Sequence, residues 1–289
     1  MFDLLAAGKV IKYYKIISAP FPSLLLLCYF NFLLNFDDTI LTSISLMNPL
    51  KLVPNFLTLL NLLAGILSIL MVSKGLLAEA SILIFIAAVF DFLDGFAARL
   101  LNAYSAIGAQ LDSLADVVSF GVAPGFILHQ LIIMSHGRME FILFNIDIIP
   151  LLVFVVPLFA ALRLAKFNVD TRQTDSFIGL PSPAAALLIA SLPLVREQLY
   201  EGQSLFYMVI TNTYFYLGIA VVTSLLMVAE LPLFGLKFKS FAFKGNEIRW
   251  LFLAISLALL LFFQAVAIPF IILIYLFLSL VVFLADIQQ

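Results

Sequence analysis

Apolar residues run through this chain in stretches long enough to cross a bilayer, and short polar clusters break them at intervals. A membrane-spanning helix needs about 20 apolar residues to cross a hydrocarbon core of roughly 30 Å. On that measure Phe56–Val72, Leu77–Leu100, Ile107–Met134, Ile148–Phe167, Pro181–Val195, Phe206–Val228, Trp250–Ala265 and Pro269–Ala285 read as helices. Pro181–Val195 and Trp250–Ala265 are short for a full crossing. The pattern predicts an all-α fold, a polytopic membrane helical bundle of about eight transmembrane helices filling residues 47–289.

Residues 1–46 do not fit that pattern. Phe21–Phe36 is a borderline apolar run interrupted by Asn31 and Asn35, and Lys9, Lys12 and Lys15 precede it. The segment lacks a small-residue cleavage site of the secretory kind. It reads as an N-terminal extension, an interfacial helix or helical hairpin, with Met47 as an alternative translation start.

Composition narrows the class further. The chain has 289 residues, of which 64% are hydrophobic and 11% charged, whereas soluble domains are nearer half apolar. Its 30 phenylalanines read as lipid-facing and packing bulk. A net charge of −2 excludes a strongly basic binder, so no nucleic-acid partner is expected. The single cysteine, Cys28, permits no internal disulfide. Basic residues set the orientation. If the first core helix enters from the cytoplasm, the inner segments carry Lys51, Arg99, Arg163, Lys166, Arg172, Lys237, Lys239, Lys244 and Arg249. The outer loops carry only Lys74, Arg138 and Arg196.

Against this apolar background, Asp91-Phe-Leu-Asp94-Gly95 and Gly108-x3-Asp112-x3-Asp116 place four carboxylates where they are costly. An ionisable group at mid-bilayer depth costs roughly 2.5–3.5 kcal/mol, so four without partners would cost about 10–14 kcal/mol. A divalent cation is the simplest compensation. Spacings of three and four stack side chains on one helix face, so two helices each offer an acidic stripe. The segment Leu100 to Ile107, with Asn102 and Ser105, is long enough for a reversal that brings the stripes together. Oxygen ligands without nearby His or Cys point to a hard ion, Mg²⁺ or Mn²⁺. Gly95, Ala98 and Gly108 remove bulk beside the carboxylates, and Arg99 offers a phosphate fork. The bland alternative is a set of helix-end aspartates solvated at the membrane surface.

This spacing resembles the signature of the CDP-alcohol phosphotransferase family at every motif position: Asp91, Asp94, Gly95, Ala98, Arg99, Gly108, Asp112 and Asp116. The resemblance implies an integral membrane enzyme in which an alcohol attacks a CDP-linked substrate and CMP is released. It implies that Asp91, Asp94 and Asp112 hold the metal, with Asp116 touching it and acting as general base. It implies that Gly95, Ala98, Arg99 and Gly108 line the nucleotide and diphosphate pocket. It also implies a homodimer. The basic-residue asymmetry then puts the active site near the cytoplasmic face, in a bacterial inner membrane.

Three further polar clusters bear on the acceptor. Asn55, Thr58 and Asn61 recur at three-residue intervals on one helix face. They read either as a polar wall for the CDP-lipid or as ordinary capping and packing. Arg163 and Lys166 are three apart at a helix end and can reach one point, or simply anchor the positive-inside face. Gly179-Leu-Pro181-Ser182-Pro183 starts a small-residue helix suited to close packing. Together the last two clusters resemble the serine-using branch of the family, although Lys166 stands where that branch often has Arg. The resemblance implies CDP-diacylglycerol and L-serine as substrates, with Arg163 and Lys166 binding the acceptor, and phosphatidylserine and CMP as products. Glycerol phosphate or an inositol compound remains an alternative acceptor. A cation transporter is the reading from another class, but it predicts related halves with a midplane site, and no internal repeat is visible.

Overall fold

The protein is described by a computed structural model covering residues 49–137, 140–169, 177–200, 205–233 and 246–284. The expected N-terminal extension, with Cys28, lies outside the described residues, as do Arg138, Arg172, Lys237, Lys239 and Lys244. The chain divides into Met1–Leu52 and Val53–Gln289, and the second unit carries the site.

Helix α1 (Pro49–Ser73) turns at Gly75 into α2 (Leu77–Leu100). The turn is left-handed at Gly75, where a side chain would strain the backbone. Ser68 on α1 donates its hydroxyl to the carbonyl of Ala80 on α2 at 2.8 Å, which ties the two helices near that turn. The next reversal passes through Asn102, also left-handed, and Ser105 then caps α3 (Ala106–Asp116) by accepting from the amide of Gly108 at 2.9 Å. Asparagine tolerates the left-handed region and serine satisfies orphan helix donors, so both turn residues act as their chemistry dictates.

After Asp116 the helix widens into a π-helical turn, Val117–Val122, before continuing as α4 (Ala123–Ile133). Two glycines seat that turn. A Cβ on Gly65 of α1 would lie 2.5 Å from Oγ of Ser119, and one on Gly121 would lie 3.1 Å from Cβ of Ala160. Close backbone approach of this kind is the usual route to tight helix packing in lipid.

A short hairpin, β1 (Ile142–Leu143) with β2 (Ile146–Asp147), leads to a 3-10 segment, Ile149–Phe154, and α5 (Val155–Val169). Strand β3 (Phe177–Ile178) then precedes α6 (Ser182–Gln198). Two two-stranded ladders, β1 with β2 and β3 with β4 (Pro232–Leu233), are the departures from an all-α fold among the described residues. Ala185, Ala186, Ile189 and Ala190 on α6 are buried, as are Ala80, Ile84 and Ala87 on α2, and the two helices pack together. The small-residue character of α6 therefore serves packing as expected.

The run Phe206–Val228 is not one helix. It forms α7 (Leu205–Ile210) and α8 (Thr213–Val228), because Thr211-Asn212 leaves the helix to pair with His136. The His136 amide donates to the Thr211 carbonyl at 3.1 Å, and Oδ1 of Asn212 caps α8 by accepting from the Tyr214 amide at 2.9 Å. The final pair, α9 (Glu247–Phe263) and α10 (Ala267–Leu284), reverses at left-handed Gln264. Phe252 and Tyr275 have ring centroids 5.8 Å apart. In a straight helix, 23 residues would separate them by about 34 Å, so α9 and α10 form a hairpin.

Among the described residues, five apolar stretches are long enough to cross a membrane: Lys51–Ser73, Leu77–Leu100, Ala106–Ile133, Ile149–Val169 and Glu247–Phe283. The last contains the Gln264 reversal. Thr213–Val228 is apolar but shorter. The outer surface is crowded with bare hydrocarbon, including Phe92, Phe96, Leu114 and Phe262, the last 81% exposed. Such a surface is stable in lipid and would aggregate in water.

Candidate active site

The site forms at the register of α2 against α3. Asp91 lies nine residues before Leu100, and Asp116 lies ten after Ala106, so both stand about 14–15 Å from the helix ends flanking the reversal. Asp94 and Asp112 are each about 9 Å from those ends. An antiparallel pair hinged at residues 101–105 therefore places like depth opposite like depth. Asp91, Asp112 and Asp116 offer carboxylate oxygens that all lie within 4.8 Å of one another. Asp94 is not among those three. Its Oδ2 accepts the hydroxyl of Thr58 at 2.6 Å.

Helix α1 supplies the support beneath the carboxylates. Thr58 also sits 3.1 Å from the carbonyl of Pro54, and Asn61, 0% exposed, donates its side-chain amide to Oδ1 of Asp116 at 3.2 Å. The carbonyl of Asn61 accepts from the hydroxyl of Ser119 at 3.0 Å, in the π-helical turn that follows Asp116. Asn61 thus binds Asp116 directly and grips the backbone beyond it. Asn55, half-buried, lies against Gly108: a Cβ there would be 2.9 Å from the Asn55 Oδ1. Gly108 serves a close helix approach as well as the cap on Ser105.

The residues expected to line the nucleotide pocket divide in two. Gly95 faces space, since a Cβ there would meet only the Arg99 guanidinium at 4.0 Å, and Arg99 is exposed. Ala98 is half-buried on the same helix. Thr58 and Asn61 are buried and joined to aspartates.

Arg163 and Lys166 also part company. Arg163 is buried, with its guanidinium carbon 5.7 Å from the Phe167 ring centroid, and Asp116 and Asp91 lie near enough for their charge to act on it. Lys166 is exposed. Further along α5, Asn168 donates to the Ser113 hydroxyl on α3 at 2.9 Å.

Ser113, Ser119 and Ser182 take part in this network without having been singled out in the sequence as site residues. Only Ser182 stood in a cluster that drew notice, and then for packing. Serines within apolar helices usually bond their own backbone, so nothing in the sequence separates these from Ser81, which donates to the Leu77 carbonyl.

The acidic cluster fits a hard divalent cation. Oδ1 of Asp112 is buried and makes no hydrogen bond, so an acceptor stands ready without a protein donor. An all-oxygen donor set suits Mg²⁺ or Mn²⁺.

A helical membrane protein with a carboxylate cluster shared by two successive apolar helices is the class that the fold and site define. The sequence profile of the CDP-alcohol phosphatidyltransferase family matches residues 51–225, and the chain belongs to that family. A CDP-diacylglycerol–serine O-phosphatidyltransferase of Helicobacter pylori is 37% identical over 188 residues, covering 64% of this chain and 72% of that protein. An archaetidylserine synthase of Methanothermobacter thermautotrophicus is 41% identical over 143 residues, 49% of this chain and 57% of that protein. A CDP-diacylglycerol–serine O-phosphatidyltransferase of Mycobacterium leprae is 32% identical over 193 residues, 64% of this chain and 58% of that protein. The alignments with the latter two span less than two thirds of those proteins.

Proposed function

We propose that this protein transfers the phosphatidyl group of CDP-diacylglycerol to L-serine, giving phosphatidylserine and CMP. The observation that carries the reading is the convergence of Asp91, Asp112 and Asp116 within 4.8 Å, beside a buried Arg163. Family membership supports the reaction class, and the names of the relatives support serine as acceptor.

In this reading the serine hydroxyl oxygen forms a bond to the lipid-side phosphorus, the bond from that phosphorus to the bridging oxygen breaks, and CMP leaves. Asp116 takes the hydroxyl proton. A carboxylate held near the hydroxyl serves well as base, and Asn61 holds this one by Oδ1. Asp91, Asp112 and Asp116 would hold Mg²⁺ or Mn²⁺, together with buried Asp94, which Thr58 orients. When bound, the metal neutralises diphosphate charge and orients attacker and leaving group. Gly95, Ala98, Arg99 and Gly108 line the path of the diphosphate, with Asn55 at the Gly108 end. Arg163 pairs with the serine carboxylate, and exposed Lys166 adds positive charge at the entrance.

About eight crossings, a homodimer, and an active site facing the cytoplasm of a bacterial inner membrane complete the reading. The turn at Gly75, Met134 and Arg196 border one cleft, at the end of the bundle away from the 101–105 reversal, as a shared outer face for these segments requires. The testing experiment supplies purified protein with CDP-diacylglycerol and, in turn, L-serine, glycerol 3-phosphate and inositol compounds. CMP release and phosphatidylserine formation with serine is the expected result. Phosphatidylglycerophosphate or an inositol lipid with no phosphatidylserine would overturn the acceptor and leave the reaction class standing.

A further inference from the structure

Arg163 enters the apolar interior from α5 with only 8% of its surface exposed. One terminal nitrogen, Nη1, donates to Oγ of Ser182 at 2.9 Å, whereas Nε is buried and makes no hydrogen bond. A buried cation with an unused donor is costly unless a ligand completes it. The Nε edge of a guanidinium is also half of the fork that receives a carboxylate through two parallel hydrogen bonds.

Resting on the assignment of Arg163 to the acceptor, we propose that Ser182 is a positioning residue for acceptor recognition: its hydroxyl anchors Nη1 so that the Nε edge is presented to the acceptor's carboxylate. Ser182 is 0% exposed, so it acts through Arg163 and does not touch the substrate itself.

The anchor is held independently of the arginine. Ser182 opens α6, directly after a segment fastened to the end of α8. The amide of Gly179 donates to the Leu231 carbonyl at 2.9 Å, and that of Leu180 donates to the Leu226 carbonyl at 2.8 Å. Gly179 has φ +76°, and a Cβ there would lie 2.7 Å from the Met227 carbonyl oxygen, so the segment can approach α8 only as glycine. Phe177 and Ile178 pair with Leu233 and Pro232 just before it. The serine is therefore set by backbone contacts, and the long, flexible arginine conforms to it. Ordering the side chain before the acceptor arrives removes an entropic cost from binding.

The test compares Ser182→Ala, Ser182→Thr, Arg163→Ala and the Ser182→Ala/Arg163→Ala double variant in the full chain, with L-serine and with ethanolamine, which lacks the carboxylate. Ser182→Ala should raise the serine KM about tenfold, equivalent to about 1.4 kcal/mol. The CDP-diacylglycerol KM and any turnover of ethanolamine should stay within about twofold. Ser182→Thr, which keeps the hydroxyl, should recover most of the serine KM. In the Arg163→Ala background, removing the Ser182 hydroxyl should add little, because the two act as one unit. An unchanged serine KM in Ser182→Ala, with a raised one in Arg163→Ala, overturns the role of Ser182 and leaves Arg163 as the acceptor residue. An unchanged serine KM in Arg163→Ala overturns the acceptor assignment itself. Equal loss towards serine, ethanolamine and CDP-diacylglycerol would reduce Ser182 to a packing residue and also overturn the proposal.

Discussion

Asn61 donates its side-chain amide to Oδ1 of Asp116 at 3.2 Å, joining the first core helix to the proposed base across 55 residues of sequence. Because Asn61 is fully buried, it acts through the Asp116 carboxylate and does not touch substrate. A hydrogen bond to a charged group is worth about 1.5–3 kcal/mol, so Asn61→Ala should lower kcat by roughly 10- to 150-fold. The CDP-diacylglycerol KM should change little. Steady-state kinetics of the variant beside Asp116→Asn, which should lose turnover far more than lipid affinity, checks the assignment; a pure KM effect in either variant would contradict it.

Removing a ligand from the three-carboxylate cluster should remove the metal. Asp91→Asn and Asp112→Asn are expected to abolish turnover and to weaken Mn²⁺ binding measured by calorimetry, since each deletes a charged oxygen from a group spanning 4.8 Å. Chelation by EDTA should stop the wild-type enzyme, and added Mg²⁺ or Mn²⁺ should restore it. Near-normal activity in EDTA would count against a metal site.

Gly65 tests the seating of the π-helical turn. A Cβ there would lie 2.7 Å from the Cα of Ser119, a backbone atom that cannot swing aside. Overpacking of this kind costs about 1–3 kcal/mol. Gly65→Ala should lower the thermal midpoint in detergent by several degrees and reduce turnover, because the turn begins one residue after Asp116. By contrast, Gly95→Ala meets no atom closer than 4.0 Å in a helix interior and should leave the thermal midpoint unchanged or raise it. Equal thermal midpoints for the two variants would show that the Gly65 contact is easily relieved.

The family match begins at residue 51, so a chain starting at Met47 retains all of the matched segment. It should insert into membranes and keep its activity, measured as CMP release. Loss of folding in that truncated chain, restored by the full length, would show the first 46 residues to be structural.

Sequence alone determined the class of protein and pointed to its chemistry. Apolar runs that cannot be solvated by water demanded a membrane, and the helical periods of three and four placed the aspartates on facing stripes with an Asn102–Ser105 reversal between them. Those are local properties, legible wherever hydrophobic length and helix period act within one segment. One expectation about helices failed, and one helix pairing was left open, for reasons that are not local. Thr211-Asn212 leaves the helix because His136, far away in sequence, offers backbone partners, and the last two helices fold back on each other through Phe252 and Tyr275. Only the tertiary structure decided the division of labour within the site. It put Thr58 and Asn61 beneath the carboxylates, separated buried Arg163 from exposed Lys166, and paired Arg163 with Ser182. A side chain's burial and hydrogen-bond partner depend on which helix lies opposite, and residue spacing along one helix carries no record of that neighbour.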